Sequence, residues 1–300
     1  MSINSYLRCF KCHHNEAMYH CLLLLLLPCI AEIEAKADNK PPQPRIVGGT
    51  PCSTKTYPFA VSVRLSEIFA AGNYNHYCGG SLVNSKWVLS AAHCYSEDRN
   101  NQLEDYLVVA GISLQSDYKN PKAQRSKVET IVTKGYEGDE HHNDIALLKL
   151  KTAMRKTKAV DFSTLPGNNL YPRDLVEINP ICTAMGWGIM VPLDPLGFNL
   201  VDDISKLYPD NLMCVNLPLI RFYQCKKIFA EKAPDLVITN SQMCTLHHKG
   251  EKDACGGDSG GPLVCNNIQQ GITSWGLGCA LEGYPGVFTR TFQDDRHWPP

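Results

Sequence analysis

Short apolar segments separated by polar turn residues account for most of the chain beyond residue 46. They are shorter than a typical helix, and Gly, Pro, Asn and Asp lie between them, as between the strands of all-β proteins. The predicted strands are Phe59–Leu65, Trp87–Ser90, Leu107–Ala110, Val128–Thr133, Ile145–Leu150, Ile181–Gly186, Leu263–Cys265 and Ile272–Trp275. The best helical pattern is Ile220–Phe229. The chain is therefore predicted to be mainly β, as a sandwich or a barrel.

The N-terminus carries an apolar run, Leu22–Leu27, followed by the small-residue sequence AKA before Asp38. This arrangement is typical of a signal peptide and its cleavage site. A bilayer span needs about 20 apolar residues, so we predict a signal-type segment over 1–37 and no stable membrane span. A buried hydrophobic helix is the alternative. The polar stretch before the run is long for a signal peptide, so either Met1 or Met18 is the working start.

Composition narrows the class of protein. Fourteen cysteines in 300 residues indicate an oxidising compartment and several disulfides, and hence a secreted, extracellular protein. A zinc cluster is the rival explanation, but no C-x2-C pair occurs from Cys52 onward. The length suits two domains or one double-barrel unit. The net charge is −1 and the cations are scattered along the sequence, which predicts no surface for nucleic acid or for an acidic partner.

Three short segments supply what amide hydrolysis needs: a nucleophile, a base, a group that orients the base, and donors for the oxyanion. The sequence GGDSGGP at 256–262 places Ser259 among glycines that allow a tight bend and close approach of a substrate. We expect the N–H groups of Gly257 and Ser259 to form the oxyanion hole. His93 follows an apolar run in the sequence SAAHC, and Asp144 precedes an apolar strand, where it needs a partner.

Each of these residues has an ordinary explanation by itself, as a surface histidine, a turn aspartate or a loop serine. Together they indicate function, because the chain order His, Asp, Ser and the GGDSGGP string would rarely coincide by chance. These motifs, with RIVGG at 45–49 and GVFTR at 286–290, resemble the chymotrypsin-fold serine peptidases, and most of all the trypsin-like branch. The resemblance covers nearly all of the predicted mature domain, 46–300.

The resemblance implies an all-β fold of two six-stranded antiparallel β-barrels. It also implies a secreted serine endopeptidase that works through an acyl-enzyme, with no cofactor or catalytic metal. The expected partners are polypeptide substrates, protein protease inhibitors and an activating protease, and the expected state is a monomer. Two alternatives stay open: a different pocket preference, and a non-catalytic homologue that acts as a binding module.

By the same resemblance, His93 transfers the proton, Asp144 orients His93, and Ser259 attacks the substrate. Ser274 resembles the serine that also hydrogen-bonds the buried aspartate. Cleavage after Arg45 would free the ammonium of Ile46, which pairs with Asp258 and orders the site of the zymogen. Residues 38–45, DNKPPQPR, form the matching propeptide, because a polar, proline-rich stretch suits an exposed linker.

Substrate preference is expected to follow from the pocket. Asp253 matches the carboxylate at the pocket floor, so cleavage after Arg or Lys is implied. Gly276 and Gly286 match the two glycines that leave the pocket open. Ala254 stands where trypsin often has serine, and the lost hydroxyl favours Arg over Lys, because the longer guanidinium reaches Asp253 directly.

The cysteine pairing cannot be chosen from spacing alone. The resemblance implies five disulfides, Cys52–Cys214, Cys78–Cys94, Cys182–Cys265, Cys225–Cys244 and Cys255–Cys279.

The chain also departs from the family pattern. The tail Thr291–Pro300 has no helical apolar stripe, which leaves the family's C-terminal helix in doubt. The segment Ser113–Lys127 lacks the paired glutamates of the family's calcium loop, so no calcium site is predicted there. Ser66–Asn75 resembles an insertion before His76.

Overall fold

The computed structural model of the protein describes residues 46–66, 74–96, 102–133, 135–136, 142–167, 180–190 and 208–292. They all belong to one compact unit, Pro44–Pro300. The predicted signal-type segment, the linker 38–45 with Arg45, most of the insertion and the tail beyond Phe292 lie outside the described residues. No helix among those described is long and apolar enough to cross a membrane.

The first half of the described chain forms a closed six-stranded antiparallel barrel. A two-residue strand, β1 (Thr50–Pro51), precedes it. The barrel strands are β2 (Ala60–Ser66), β3 (Tyr74–Leu82), β4 (Trp87–Ser90), β5 (Tyr106–Ala110), β6 (Gln124–Thr133) and β7 (Ala146–Leu150). They are hydrogen-bonded in the order β2-β3-β4-β7-β6-β5, and β5 closes onto β2.

The second half forms another antiparallel barrel. Its strands are β8 (Ile181–Gly186), β9 (Met213–Ile220), β10 (Gln242–Thr245), β11 (Pro262–Cys265), β12 (Ile268–Gly276) and β13 (Gly286–Arg290). They are hydrogen-bonded in the order β9-β10-β13-β12-β11-β8, and the pairing of β8 with β9 closes the barrel. The short strand β1 pairs with the first two residues of β9. The prediction of two six-stranded barrels is confirmed.

Alternating burial along the strands explains why the barrels close. In β9 the exposed Asn216 lies between the buried Val215 and Leu217, as expected where one strand face lines a core and the other meets solvent. Each barrel therefore has an apolar interior, around Val61, Leu82 and Leu148 in the first and around Leu217, Leu263 and Phe288 in the second.

The α-helix α1 (Phe222–Lys232) follows β9 and buries Cys225 and Phe229. It begins and ends two to three residues later than the predicted helical pattern. The Phe229 ring packs edge-on against Trp275 of β12, with ring centroids 5.1 Å apart.

The structure contains the five disulfides that the resemblance implied. Two of them lie beside the residues of the candidate site. Cys78–Cys94 joins β3 to the residue after His93, and Cys255–Cys279 joins two walls of the pocket described below.

Candidate active site

Strand pairing brings His93 and Asp144 together across 51 residues of sequence. His93 lies on the 3₁₀ turn Ala92–Tyr95, directly after β4, and Asp144 lies two residues before β7. Because β4 and β7 are antiparallel, with Ser90 opposite Ala146, the end of one strand lies beside the start of the other.

Asp144 is the centre of a hydrogen-bond chain. His93 donates twice, from its backbone N to Oδ1 at 2.8 Å and from Nδ1 to Oδ2 at 2.7 Å. Ser274 of β12 donates to the same Oδ2 from its Oγ at 2.5 Å. The carboxylate of Asp144 is fully buried, whereas the side chain of His93 is 19% exposed. The imidazole is thus held at Nδ1 by a buried carboxylate, while part of the ring is exposed.

Burial alone would raise the pKa of Asp144, because desolvation disfavours a carboxylate. The hydrogen bonds from His93 and Ser274, together with the charge of His93, outweigh that effect and hold the pKa of Asp144 below its ordinary value. Asp144 therefore stays a carboxylate that can orient and stabilise a protonated His93.

Close approach of the two barrels holds the backbone around Ser259. Gly79 of β3 donates from N to Ser259 O at 2.7 Å, and Gly260 donates from N to Thr273 O at 2.8 Å. A Cβ on Gly79 would come within 2.9 Å of Gly261, so glycine is needed at this crossing. Ser259 and Ser274 both line one pocket, whose lining residues all belong to the second half of the chain.

The Gly257–Asp258 peptide, just before the serine, contacts His76, to which the sequence analysis gave no role in the site. Gly257 has φ +94°, a conformation that favours glycine, and its carbonyl oxygen faces His76 Nε2 at 2.9 Å. His76 Nδ1 in turn lies 2.8 Å from Ser62 Oγ. Burial lowers the pKa of His76 to about 4, so the ring is neutral at physiological pH. The sequence signal was weak, since His76 marked only the end of an apparent insertion.

Asp258 points away from the pocket into the protein. Its Oδ1 accepts from Gly188 N at 2.8 Å and its Oδ2 accepts from Cys255 N at 2.9 Å. Burial raises the pKa of Asp258 to about 6, because no cation among the described residues pairs with it. Ile46 is also buried, and Val47 O accepts from Asp253 N at 3.1 Å. The start of the predicted mature domain thus packs beside the loop that carries Asp258.

Asp253 lines the same pocket as Ser259. Its carboxylate accepts from the backbone N–H of Ala254 at 2.9 Å and of Ala280 at 3.1 Å. Burial raises the pKa of Asp253 to about 7. Ala254, which follows Asp253, has no hydroxyl group, and the pocket is also lined by Phe288 and by the hydroxyl residues Ser259, Thr273 and Ser274. The pocket therefore offers a partly desolvated carboxylate to a cationic group.

The two glycines predicted to keep the pocket open also line it. A Cβ on Gly286 would lie 2.5 Å from Asp253 Oδ1, so any side chain there would collide with the carboxylate. Gly276 is less crowded, and its nearest contact would be Gly278 O at 3.3 Å.

Two observations bear on metal binding. Cys78, His93 and Cys94 place potential ligand atoms close together, but the two cysteines are joined in a disulfide and offer no thiolate. In Ser113–Lys127, Ser116 N and Oγ donate to Asp210 at 2.7 and 2.8 Å, and Arg64 donates to Gln115 Oε1. The guanidinium of Arg64 also lies 4.1 Å from the centre of the Tyr118 ring, so a fixed positive charge contacts this segment.

The fold and the site define a class, the double-barrel serine peptidases. Residues 46–295 match the family model described as Trypsin, and the chain belongs to this family. It is 38% identical to Trypsin I-P1 of Gallus gallus, over 82% of this chain and 84% of that protein. It is 33% identical to a Trypsin of Xenopus laevis (89% and 93% covered) and to Kallikrein-1 of Mus musculus (90% and 93%). The protein is a trypsin-like serine endopeptidase.

Proposed function

We propose that the protein is a secreted zymogen that, once cut after Arg45, hydrolyses peptide bonds on the carboxyl side of arginine and, less efficiently, of lysine. The hydrogen-bond chain from Ser274 through Asp144 to His93, beside a pocket that contains both Ser259 and Asp253, is the observation that carries this proposal. The similarity to trypsins supports the same substrate class.

In this proposal Ser259 is the nucleophile and His93 the general base. His93 Nε2 takes the proton as Ser259 Oγ attacks the carbonyl, and Asp144 stabilises the imidazolium that forms. His93 then passes that proton to the leaving amine, which gives an acyl-enzyme. His93 then activates a water molecule in the same way, and this water hydrolyses the acyl-enzyme and releases the carboxylic acid product.

The oxyanion that forms in each step needs donors. The N–H groups of Gly257 and Ser259 are available to a substrate oxygen, because neither donates a hydrogen bond within the described part of the chain. The contact of His76 with Gly257 O supports this role, because it fixes the Gly257–Asp258 peptide, which lies between the two N–H groups along the chain. Such donors are worth several kcal/mol in the transition state, typically about 3 kcal/mol each.

Asp253 is proposed to bind the cationic side chain of the substrate. A guanidinium can bridge both oxygens of the carboxylate, whereas a shorter ammonium needs additional oxygen ligands to replace its water. Ala254, the residue next to Asp253, has no hydroxyl that could serve as such a ligand. Arginine is therefore the preferred residue.

Activation is proposed to depend on Asp258. Its buried carboxyl has two backbone donors and no cation, and the segment that begins at Ile46 packs on the same loop. An ammonium created at Ile46 would supply that cation and hold the loop in its active form. The five disulfides and the apolar N-terminal run support secretion.

The direct experiment treats the purified protein with a protease that cuts after Arg45, and then measures turnover of matched arginine and lysine amides. We expect turnover only in the cut form, with a higher kcat/KM for arginine. Cut Ser259→Ala protein is the control. Equal rates for the two amides would contradict the arginine preference, and turnover by uncut protein would contradict zymogen control.

A further inference from the structure

Strands β6 and β7 and the segments next to them carry an excess of positive charge. Residues 119–158 contain ten lysines and arginines and five acidic residues, of which Asp144 is buried. The whole chain, by contrast, carries a net charge of −1. The pairing of β6 with β7 brings the cations of these two strands and of their flanking segments side by side.

Strand geometry places Arg125 and Lys127 on one outer face. They are two residues apart on β6, and the residue between them, Ser126, is buried, so both side chains leave the barrel on the same side. The Arg125 guanidinium donates to the carbonyl oxygens of Tyr118 and Asn120, at 2.8 and 3.0 Å. This contact draws Arg125 toward the loop that carries Lys122.

The segment after β7 adds two more cations beside them. Lys151 donates from its backbone N to Lys127 O at 2.9 Å, and Arg155 and Gln124 exchange two hydrogen bonds of 2.7 Å. On the neighbouring outward positions of β6 and β7, Glu129 and Lys149 form an ion pair of 3.2 Å. We call Lys122, Arg125, Lys127, Lys151 and Arg155 the basic surface.

No member of the basic surface forms an ion pair within the described residues, where Lys149 pairs with Glu129 and Lys156 pairs with Asp161. Four of its members are exposed, and Lys127 is half-buried. Lys127 donates to Tyr74 OH and to the backbone oxygen of Glu104, neither of which carries a negative charge. A set of like charges that forms no ion pair attracts anionic partners.

The position of Lys127 relates this surface to the active site. Its ammonium lies 4.4 Å from the centre of the Tyr74 ring, at the start of β3. Two residues along the same strand, about 7 Å away, His76 contacts the carbonyl of Gly257. A polypeptide lying in the active site therefore needs only a short extension to reach the basic surface.

From this placement we propose that the basic surface binds an acidic segment of the polypeptide substrate, and so selects among proteins that offer the same arginine bond. The inference rests on the proposed function, since it names a class of substrate for the same active site. Proximity to the site favours a substrate segment over a sulfated polysaccharide, which would have no reason to lie next to β3. Attraction between such surfaces acts mainly on the rate of association and is screened by salt.

The test uses two pairs of peptides that share one arginine bond. In each pair one peptide carries a tract of about six glutamates and the other the same number of glutamines, long enough to extend about 20 Å. The tract is placed on either side of the bond in separate peptides. The variant is Lys151→Glu/Arg155→Glu. The matched control is Arg221→Glu/Lys226→Glu, which reverses two exposed charges at the start of α1 in the second barrel.

We expect the cut wild-type protein to prefer a glutamate peptide by about tenfold in kcat/KM at low salt, a preference lost near 0.5 M salt. The variant should lose this preference, the control should keep it, and all three should turn over a small arginine amide equally. Equal kcat/KM for the glutamate and glutamine peptides in the wild type would overturn the inference, and so would retention of the preference by the variant.

A binding measurement separates this inference from the proposed function. Fluorescence anisotropy with the Ser259→Ala protein reports peptide affinity without catalysis, and the glutamate peptide should bind about tenfold more weakly when Lys151 and Arg155 are reversed. Failure of the small amide to react would contradict the proposed function, whereas this binding result would still decide the basic surface. Binding of heparin to this surface without any preference for the glutamate peptides would assign it to a polysaccharide and overturn our inference.

Discussion

Ser274 and Asp144 are joined by a 2.5 Å hydrogen bond from Ser274 Oγ to Asp144 Oδ2, the same oxygen that accepts from His93 Nδ1. One carboxylate oxygen thus connects the two barrels, because Ser274 belongs to β12 and Asp144 precedes β7. The orientation of His93 therefore depends on a residue from the second barrel as well as on its own.

Removal of this hydroxyl should weaken catalysis without unfolding the protein. A hydrogen bond to a charged group is worth about 1.5–3 kcal/mol, so we expect Ser274→Ala to lower kcat/KM by about tenfold or more. The control is Ser81→Ala, since Ser81 Oγ is buried but has no hydrogen-bond partner in the described part of the chain. If Ser274→Ala behaves like Ser81→Ala in kcat/KM, Ser274 has no part in positioning Asp144.

The raised pKa of Asp253 predicts how affinity for a cation changes with pH. Burial raises this pKa to about 7, so the carboxyl is mostly neutral below that pH and mostly ionised above it. Binding of benzamidine, which needs the carboxylate, should strengthen as the pH rises from 5.5 to 7 and then level off, by up to about tenfold per pH unit. Calorimetry on the Ser259→Ala protein measures this without any contribution from turnover.

An affinity that stays constant over this range would contradict the assignment of Asp253 as the titrating group. Asp253→Asn is the control, and it should bind weakly and independently of pH.

The preference for arginine should respond to one substitution. Ala254→Ser adds a hydroxyl next to Asp253, where it can accept a hydrogen bond from a lysine ammonium. One such bond is worth about 1 kcal/mol, so the ratio of lysine to arginine kcat/KM should rise about fivefold. Steady-state kinetics with the matched amides measure the ratio, and an unchanged ratio would mean that the missing hydroxyl does not set the preference.

Cleavage after Arg45 should change how stability depends on pH. In the uncut chain the pKa of Asp258 is raised to about 6, so the folded state holds its proton more tightly than the unfolded state does. Stability is then lost as the pH rises from about 4 to about 6, with no further loss from this group above that. An ammonium at Ile46 would remove the effect, and the Tm of the cut form should exceed that of the uncut form by about 5 °C at pH 7.

Asp253 titrates in both forms, so the comparison between cut and uncut protein isolates the contribution of Asp258. A difference in Tm that is the same at pH 4 and at pH 7 would show that the new N-terminus does not pair with Asp258.

Calcium should leave the thermal stability unchanged. The segment Ser113–Lys127 is tied to Asp210 and contacts the guanidinium of Arg64, whose positive charge opposes binding of a cation. We expect the Tm to be the same with EDTA and with millimolar calcium. A rise in Tm with calcium would contradict the prediction, because a ligand that binds only the folded state must stabilise it.

Much of the fold was predictable because the buried strands are apolar and continuous. Trp87–Ser90 and Ile181–Gly186 have the predicted bounds, and most of the other predicted strands differ by one to four residues at an end. The strands that the pattern missed carry breakers or few apolar residues. β3 contains Gly79 and Gly80, and β9 contains Pro218. Tertiary pairing overrides these local preferences.

The candidate site was predictable where its residues lie in compact motifs, as Ser259 and His93 do. His76 was missed because its partner, Gly257, is 181 residues away. The basic surface was missed for a related reason. Its cations come from two segments that are adjacent only after β6 pairs with β7, and the charge pattern of the sequence predicted no such cluster.

The proton transfer between Ser259 and His93 is the central claim, and covalent labelling tests it most directly. Protein cut after Arg45 is treated with an organophosphate, and the mass added is mapped by peptide mass spectrometry. We predict one adduct, on Ser259, at a rate that falls by at least about 10³-fold in His93→Ala. Labelling at any other residue, or labelling of Ser259 at the same rate without His93, would contradict this account.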